Sequence, residues 1–275
     1  MLTNNAFAAA AQSLPAGFMQ WFLVLMVVAV IAGTLADMVH KGSAAYFFAN
    51  WRKPKGRGSR KIAGGELASI AVQTVVVDVM TSGEFCNPRR RIAHLLTMYG
   101  FVIYLVTTAL MVFWYPTPAT PTPDIVPLLW WIGGLMVLVG GYWFWFFIRV
   151  DVAAEGNTPL RFVRADLFIV SMLASVTLGL IWAGTGGGAG WLFWLYLLAT
   201  AVLFLGVPWS KFAHMFFKPA AAFEKRVTRA DGTAENLPTQ SRDDPEQQKR
   251  HSMELLRDAP MDMGLGIKRD APRHY

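Results

Sequence analysis

Five apolar runs of about 17 to 25 residues occupy the first 217 positions of this 275-residue chain, at about 18–38, 92–114, 125–149, 166–184 and 191–214. A helix rises ~1.5 Å per residue and a hydrocarbon core is roughly 30 Å thick, so each run is long enough to span a bilayer. The composition agrees: 54% hydrophobic and 16% charged residues cannot clothe a water-facing surface. A soluble enzyme is excluded. A membrane barrel is excluded too, because its strands alternate apolar and polar and these runs do not. The expected fold class is all-α, an integral membrane bundle of five transmembrane helices.

Charge sets the expected orientation. From Lys218 onward the chain carries 11 basic and 10 acidic residues; before it stand 14 basic and 8 acidic ones. Those 14 fall in the connections 1–2 and 3–4 and at the end of the fifth run, whereas the loops 115–124 and 185–190 contain no lysine or arginine. By the positive-inside rule the N-terminus is outside and the C-terminus inside, in a multi-pass protein of the bacterial inner membrane. No basic residue precedes Lys41, so the run from Phe18 reads as a first span and not as a cleavable signal. Residues 1–217 are read as a membrane domain and 218–275 as a cytoplasmic, partly disordered tail that suits docking of a soluble partner.

Residues 62–84 are apolar enough to tempt a sixth span but contain Glu66, Gln73 and Asp78 between basic flanks. A spanning helix would carry an acid near the bilayer centre, so a helix lying at the cytoplasmic interface is the cheaper solution. The paired glycines 133–134 and 140–141 read as a close-packing face. The single cysteine, Cys86, forms no internal disulfide and supports no cluster or thiolate zinc site alone. The excess of basic residues sits beside helix ends, which argues against nucleic acid. No hydrolase or phosphate-binding motif stands in a workable context. A transporter lacks the intramembrane charge or broken-helix pair expected of it, since Asp37, Asp78, Asp151 and Asp166 all lie at the inner edge.

Of five histidines, His251 and His274 lie in the tail and are read as solvated. His40, His94 and His214 share one depth at the inner ends of spans one, two and five. Each alone fits an imidazole resting in the interface. Two at matched depth on different helices also fit the axial ligands of a low-spin b-type haem, and His94 and His214 are the candidate iron ligands. Arg89, Arg90, Arg91 and Lys211 stand one or two turns away as cations for haem propionates, or as plain topology determinants.

With Arg91-Ile-Ala-His94 opening the second helix and Val207-Pro-Trp-Ser-Lys-Phe-Ala-His214 closing the fifth, residues 15–220 resemble the haem b membrane subunit of respiratory nitrate reductase. The same group holds the membrane subunits of heterodisulfide reductase and of the quinone-interacting oxidoreductase of sulfate reducers. Within it the chain is most similar to the membrane anchor of adenylylsulfate reductase from sulfur-oxidising bacteria. The resemblance implies an electron-transfer subunit linking a cytoplasmic iron-sulfur/flavin oxidoreductase to the quinone pool through one haem b. His94 and His214 match the pair nearer the cytoplasm; Tyr104 stands nearest the place where a second pair is expected. One inner-edge haem implies a quinone site near the inner leaflet, with His40, on the same helical face as Asp37, as catalytic proton carrier. A haem-free anchor that recruits a cytoplasmic enzyme is the alternative.

Overall fold

Apolar stretches with no competing polar backbone partners satisfy their amides internally, and the chain answers with helices throughout. A computed structural model describes residues 2–41, 60–83, 88–149, 152, 157–207 and 214–234. No strand occurs among them. The helices are α1 (Ala6–Ala10), α2 (Ala16–Lys41), α3 (Gly64–Gln73, continued as π-helix over Thr74–Met80), α4 (Pro88–Phe113), α5 (Ile125–Trp143, continued as π-helix over Phe144–Ile148), α6 (Leu167–Gly184), α7 (Trp191–Leu205) and α8 (His214–Ala230).

Four of these, over Gly17–His40, Pro88–Phe113, Ile125–Ile148 and Leu167–Gly184, are long and apolar enough to cross a membrane. The fold is therefore the expected helical membrane bundle, and the helices fit a multi-pass membrane protein. The fifth expected span differs in extent. Helix α7 runs for 15 residues, about 22 Å at ~1.5 Å per residue, and positions 208–213 lie outside the described residues. His214, expected to close the fifth span, opens α8 instead.

The chain divides into two compact units. The first, Met1–Asp37, Ile92–Phe146 and Phe162–Phe212, contains the bulk of the apolar helices. Lipid tails are as apolar as leucine, so helices in them associate through close packing and not through exclusion of water. Helices α4 and α5 meet this demand with glycine. A Cβ on Gly100 would lie 2.7 Å from the Gly133 carbonyl oxygen, one on Gly133 would lie 2.8 Å from the Gly100 oxygen, and one on Gly140 would lie 2.6 Å from the Ala93 oxygen. The two backbones touch along a stripe that no larger residue fits. Gly134 and Gly141 turn the opposite way and receive Leu180 and Leu173 of α6.

The second unit, Met38–Arg91, Phe147–Arg161 and Ala213–Tyr275, holds α3 and α8. Arginines fasten its backbone ends. Arg90 donates to the Ile148 carbonyl at 3.0 Å, Arg91 to that of Thr81 at 2.7 Å and Arg149 to that of Arg161 at 2.6 Å. Ile148 and Thr81 close the two π-helical segments, where carbonyls lack intrahelical partners and the helix dipole favours a cation.

Gly133→Val should force α4 and α5 apart and cost about 1–3 kcal/mol of stability. The measurement is thermal unfolding of the full chain in detergent micelles; Gly17→Val, at a position with open space around it, should leave the midpoint nearly unchanged.

Candidate functional site

Hydroxylated residues recur along the apolar helices of the first unit at helical spacing. Tyr104, Thr107, Thr108 and Met111 lie on one face of α4, Ser171, Ser175 and Gly179 on one face of α6, and Tyr196 and Thr200 on one face of α7, and all are buried. Their side chains converge. Trp130 Nε1 donates to Thr108 Oγ1 at 2.8 Å, Ser175 Oγ and Thr200 Oγ1 share a 2.7 Å hydrogen bond, and Thr200 donates back to the Tyr196 carbonyl at 2.8 Å. The aromatic rings stack around these hydroxyls, Tyr104 on Trp130 at 4.8 Å and Trp182 on Tyr196 at 5.5 Å.

The N-terminal segment packs against one end of this cluster. Phe7, 2% exposed, sits edge-on to Trp130 and Trp182 with centroids 6.1 and 5.1 Å away. Asn5 holds α1 there: its Oδ1 accepts from the Phe7 and Ala8 amides, while its Nδ2 donates to the Tyr115 carbonyl and Thr122 Oγ1. Among the hydroxyls of the cluster, that of Tyr104 is buried without a partner in hydrogen-bonding geometry, although it interacts with Tyr196 and packs against Gly179. The cluster is built of uncharged hydrogen-bond donors and acceptors and holds no countercharge for a carboxylate.

The second unit is the charged counterpart. Asp78, on the π-helical end of α3, accepts both arms of Arg226 from α8, at 2.7 and 2.9 Å. This fork-to-carboxylate pairing raises the hold of Arg226 on its proton. Arg60 pairs with Glu66 and donates to the Ala230 carbonyl at 2.7 Å, tying the start of α3 to the end of α8. Between the helices opens a recess of about 490 Å³ lined by Glu66, Ser69, Gln73, Arg226 and Arg229.

His94 and Arg89 are exposed, His40 is exposed in the last turn of α2, and Asp37, three residues before it, is buried. Arg90 and Arg91 direct donors to backbone carbonyls. His214 is described as helix only, and Lys211, His251 and His274 lie outside the described residues. No group of three or more His, Cys, Asp or Glu side chains converges among the described residues. The hydroxyl cluster carries a signal in the sequence that the histidines and arginines did not: polar side chains three and four apart in a lipid-soluble helix mark the inward face.

Gly179→Ala should destabilise the chain by about 1–3 kcal/mol because the new methyl meets the Tyr104 hydroxyl. Tyr104→Phe should relieve most of that loss and be nearly neutral alone, as measured by unfolding in micelles across the double-mutant cycle. Asp78→Ala strands Arg226, whose side chain is 29% exposed; the cost should be about 1–2 kcal/mol, falling as salt rises.

Comparison with known proteins corrects the functional expectation. A family profile described as citrate utilization protein B matches residues 22–235. The chain is 25% identical over 201 residues to citrate utilization protein B of Escherichia coli, a match covering 67% of this chain and 52% of that protein. The chain thus spans about half the length of the curated relative it matches. No solved structure matches. The kinship with the haem b subunit of nitrate reductase is overturned by the family match, and with it go the quinone-linked electron-transfer function and the assignment to sulfur metabolism. The physical reason is that the features behind it are shared by polytopic membrane proteins at large: imidazoles settle at helix ends, and arginines gather on the inner side of any such bundle. Matched across both of its units, the chain belongs to the citrate utilization protein B family.

Proposed function

We propose that this protein is a membrane-embedded component of citrate utilization in the inner membrane of a bacterium, meeting citrate or a closely related tricarboxylate at its basic, cytoplasmic side. The observation that carries the reading is the extent of the family match, which runs from residue 22 to residue 235 and so takes in the membrane helices and the recess between α3 and α8.

Electrostatics supports the basic side as the place of contact. Positions 1–36, 92–123, 125–148 and 167–207 contain no charged residue, and a trianion among them would be left without countercharge, at a cost of several kcal/mol. Residues 38–91 carry ten lysines and arginines against three acids. Such an excess concentrates a polyanion near the membrane surface and speeds its capture. Its partners in this reading are the bilayer and a soluble protein on the same side that consumes the tricarboxylate.

Deletion of the coding sequence from its host should abolish or sharply slow growth on citrate as sole carbon source while leaving growth on acetate intact. Plasmid-borne wild type should restore it. Unchanged growth on citrate after deletion would sink the reading.

A further inference from the structure

Helix α3 and its π-helical continuation present two unlike faces. One is buried, with Ile70 7% and Thr74 3% exposed, and Asp78 on the same side is held by Arg226 of α8. The other displays four β-branched aliphatics to the outside: Val72 is 63% exposed, Val75 51%, Val76 46% and Val77 41%. The π-helical winding turns the chain less per residue than an α-helix does, which spreads the run Val75 to Val77 along one side instead of around the helix.

An aliphatic strip of this kind in water is a liability that folded proteins avoid unless something covers it. The surroundings identify the occupant. The segment follows α2 in the chain and precedes α4, both long and apolar enough to span the membrane, so the strip lies between two spanning helices in the sequence. Lys61 precedes the strip, Arg89 to Arg91 follow it, and exposed Lys225 and Arg229 lie on α8. The acids of α3 do not oppose an anionic surface, because Glu66 and Asp78 are each neutralised by an arginine. Aliphatic side chains flanked by lysine and arginine are what an interfacial helix uses to lie in a leaflet of acidic lipids.

We propose that the valine face of α3, formed by Val72, Val75, Val76 and Val77, beds into the headgroup–acyl boundary of an anionic leaflet, with α8 covering the polar face on the water side. Helix α8 then serves as a lid that satisfies Asp78 and Gln73 and so allows a helix containing acids to lie in lipid. The proposal stands on the exposed strip and its charges and does not depend on the citrate reading.

The test uses the full chain with Cys86→Ser, which removes the native cysteine, and adds Val72→Cys, Val76→Cys or Ser69→Cys singly. Each is nitroxide-labelled in vesicles of phosphatidylcholine and phosphatidylglycerol. The labels at 72 and 76 should collide readily with oxygen and poorly with a water-soluble nickel chelate, at a depth of about 5–10 Å. The label at 69, on the recess side, should behave in the opposite way. Equal nickel access at all three positions would overturn the proposal. Dipolar broadening between labels at 76 would overturn it too, since it would place a second copy of the chain on the strip. Because both valines are exposed, neither change removes a packed side chain, and photoactivatable lipid should also label residues 72–77 of the unsubstituted protein.

Discussion

The backbone contact between α4 and α5 is the constraint on which the first unit depends. In lipid, two helices gain little by hiding apolar side chains from solvent, so they must gain by approaching closely enough for many weak contacts. Gly100, Gly133 and Gly140 make that approach possible, and a single methyl at any of them would meet a carbonyl oxygen at 2.6–2.8 Å. Gly134 and Gly141, one residue on, admit α6 to the other side of the same helix. The position of α6 in turn brings Ser175 and Gly179 to Tyr196, Thr200 and Tyr104. The hydroxyl cluster is thus a consequence of where glycines permit helices to meet.

A second rule operates wherever water is scarce: a polar group is retained only if something satisfies it. The hydroxyl cluster follows the rule with Trp130 on Thr108 and Ser175 on Thr200, and departs from it at the Tyr104 hydroxyl. Arg90, Arg91 and Arg149 follow it in the second unit by capping carbonyls. These arginines show why a basic residue near a helix end says little about ligands. Its charge places the loop on one side of the membrane, and its donors go to the nearest open backbone group.

The sequence puts His94 and His214 at the ends of apolar runs, and many membrane proteins place imidazoles there. Residue type and depth fit a haem, but they fit a plain interfacial residue equally, and the match over residues 22–235 assigns the chain to the citrate utilization protein B family instead. Likewise, Glu66 and Asp78 were read as reasons for α3 to avoid the bilayer centre. The structure adds that each has an arginine partner, one of them 148 residues away.

What the amino-acid sequence determined by itself is what depends on short windows. Apolar length sets the spans, the sums of lysine and arginine set the expected sides, and the glycine pairs of α5 announce close packing, because each is a property of neighbouring residues and the solvent they meet. The tertiary structure alone decided which faces meet. It brought Tyr104, Gly179 and Tyr196 together from three helices, ended α7 at Leu205, and folded the first residues of the supposed tail, 218–230, together with 214–217 into a helix on α3. Those outcomes rest on contacts between residues tens to hundreds of positions apart, where the energy of any one pairing depends on all the others and no local pattern records it.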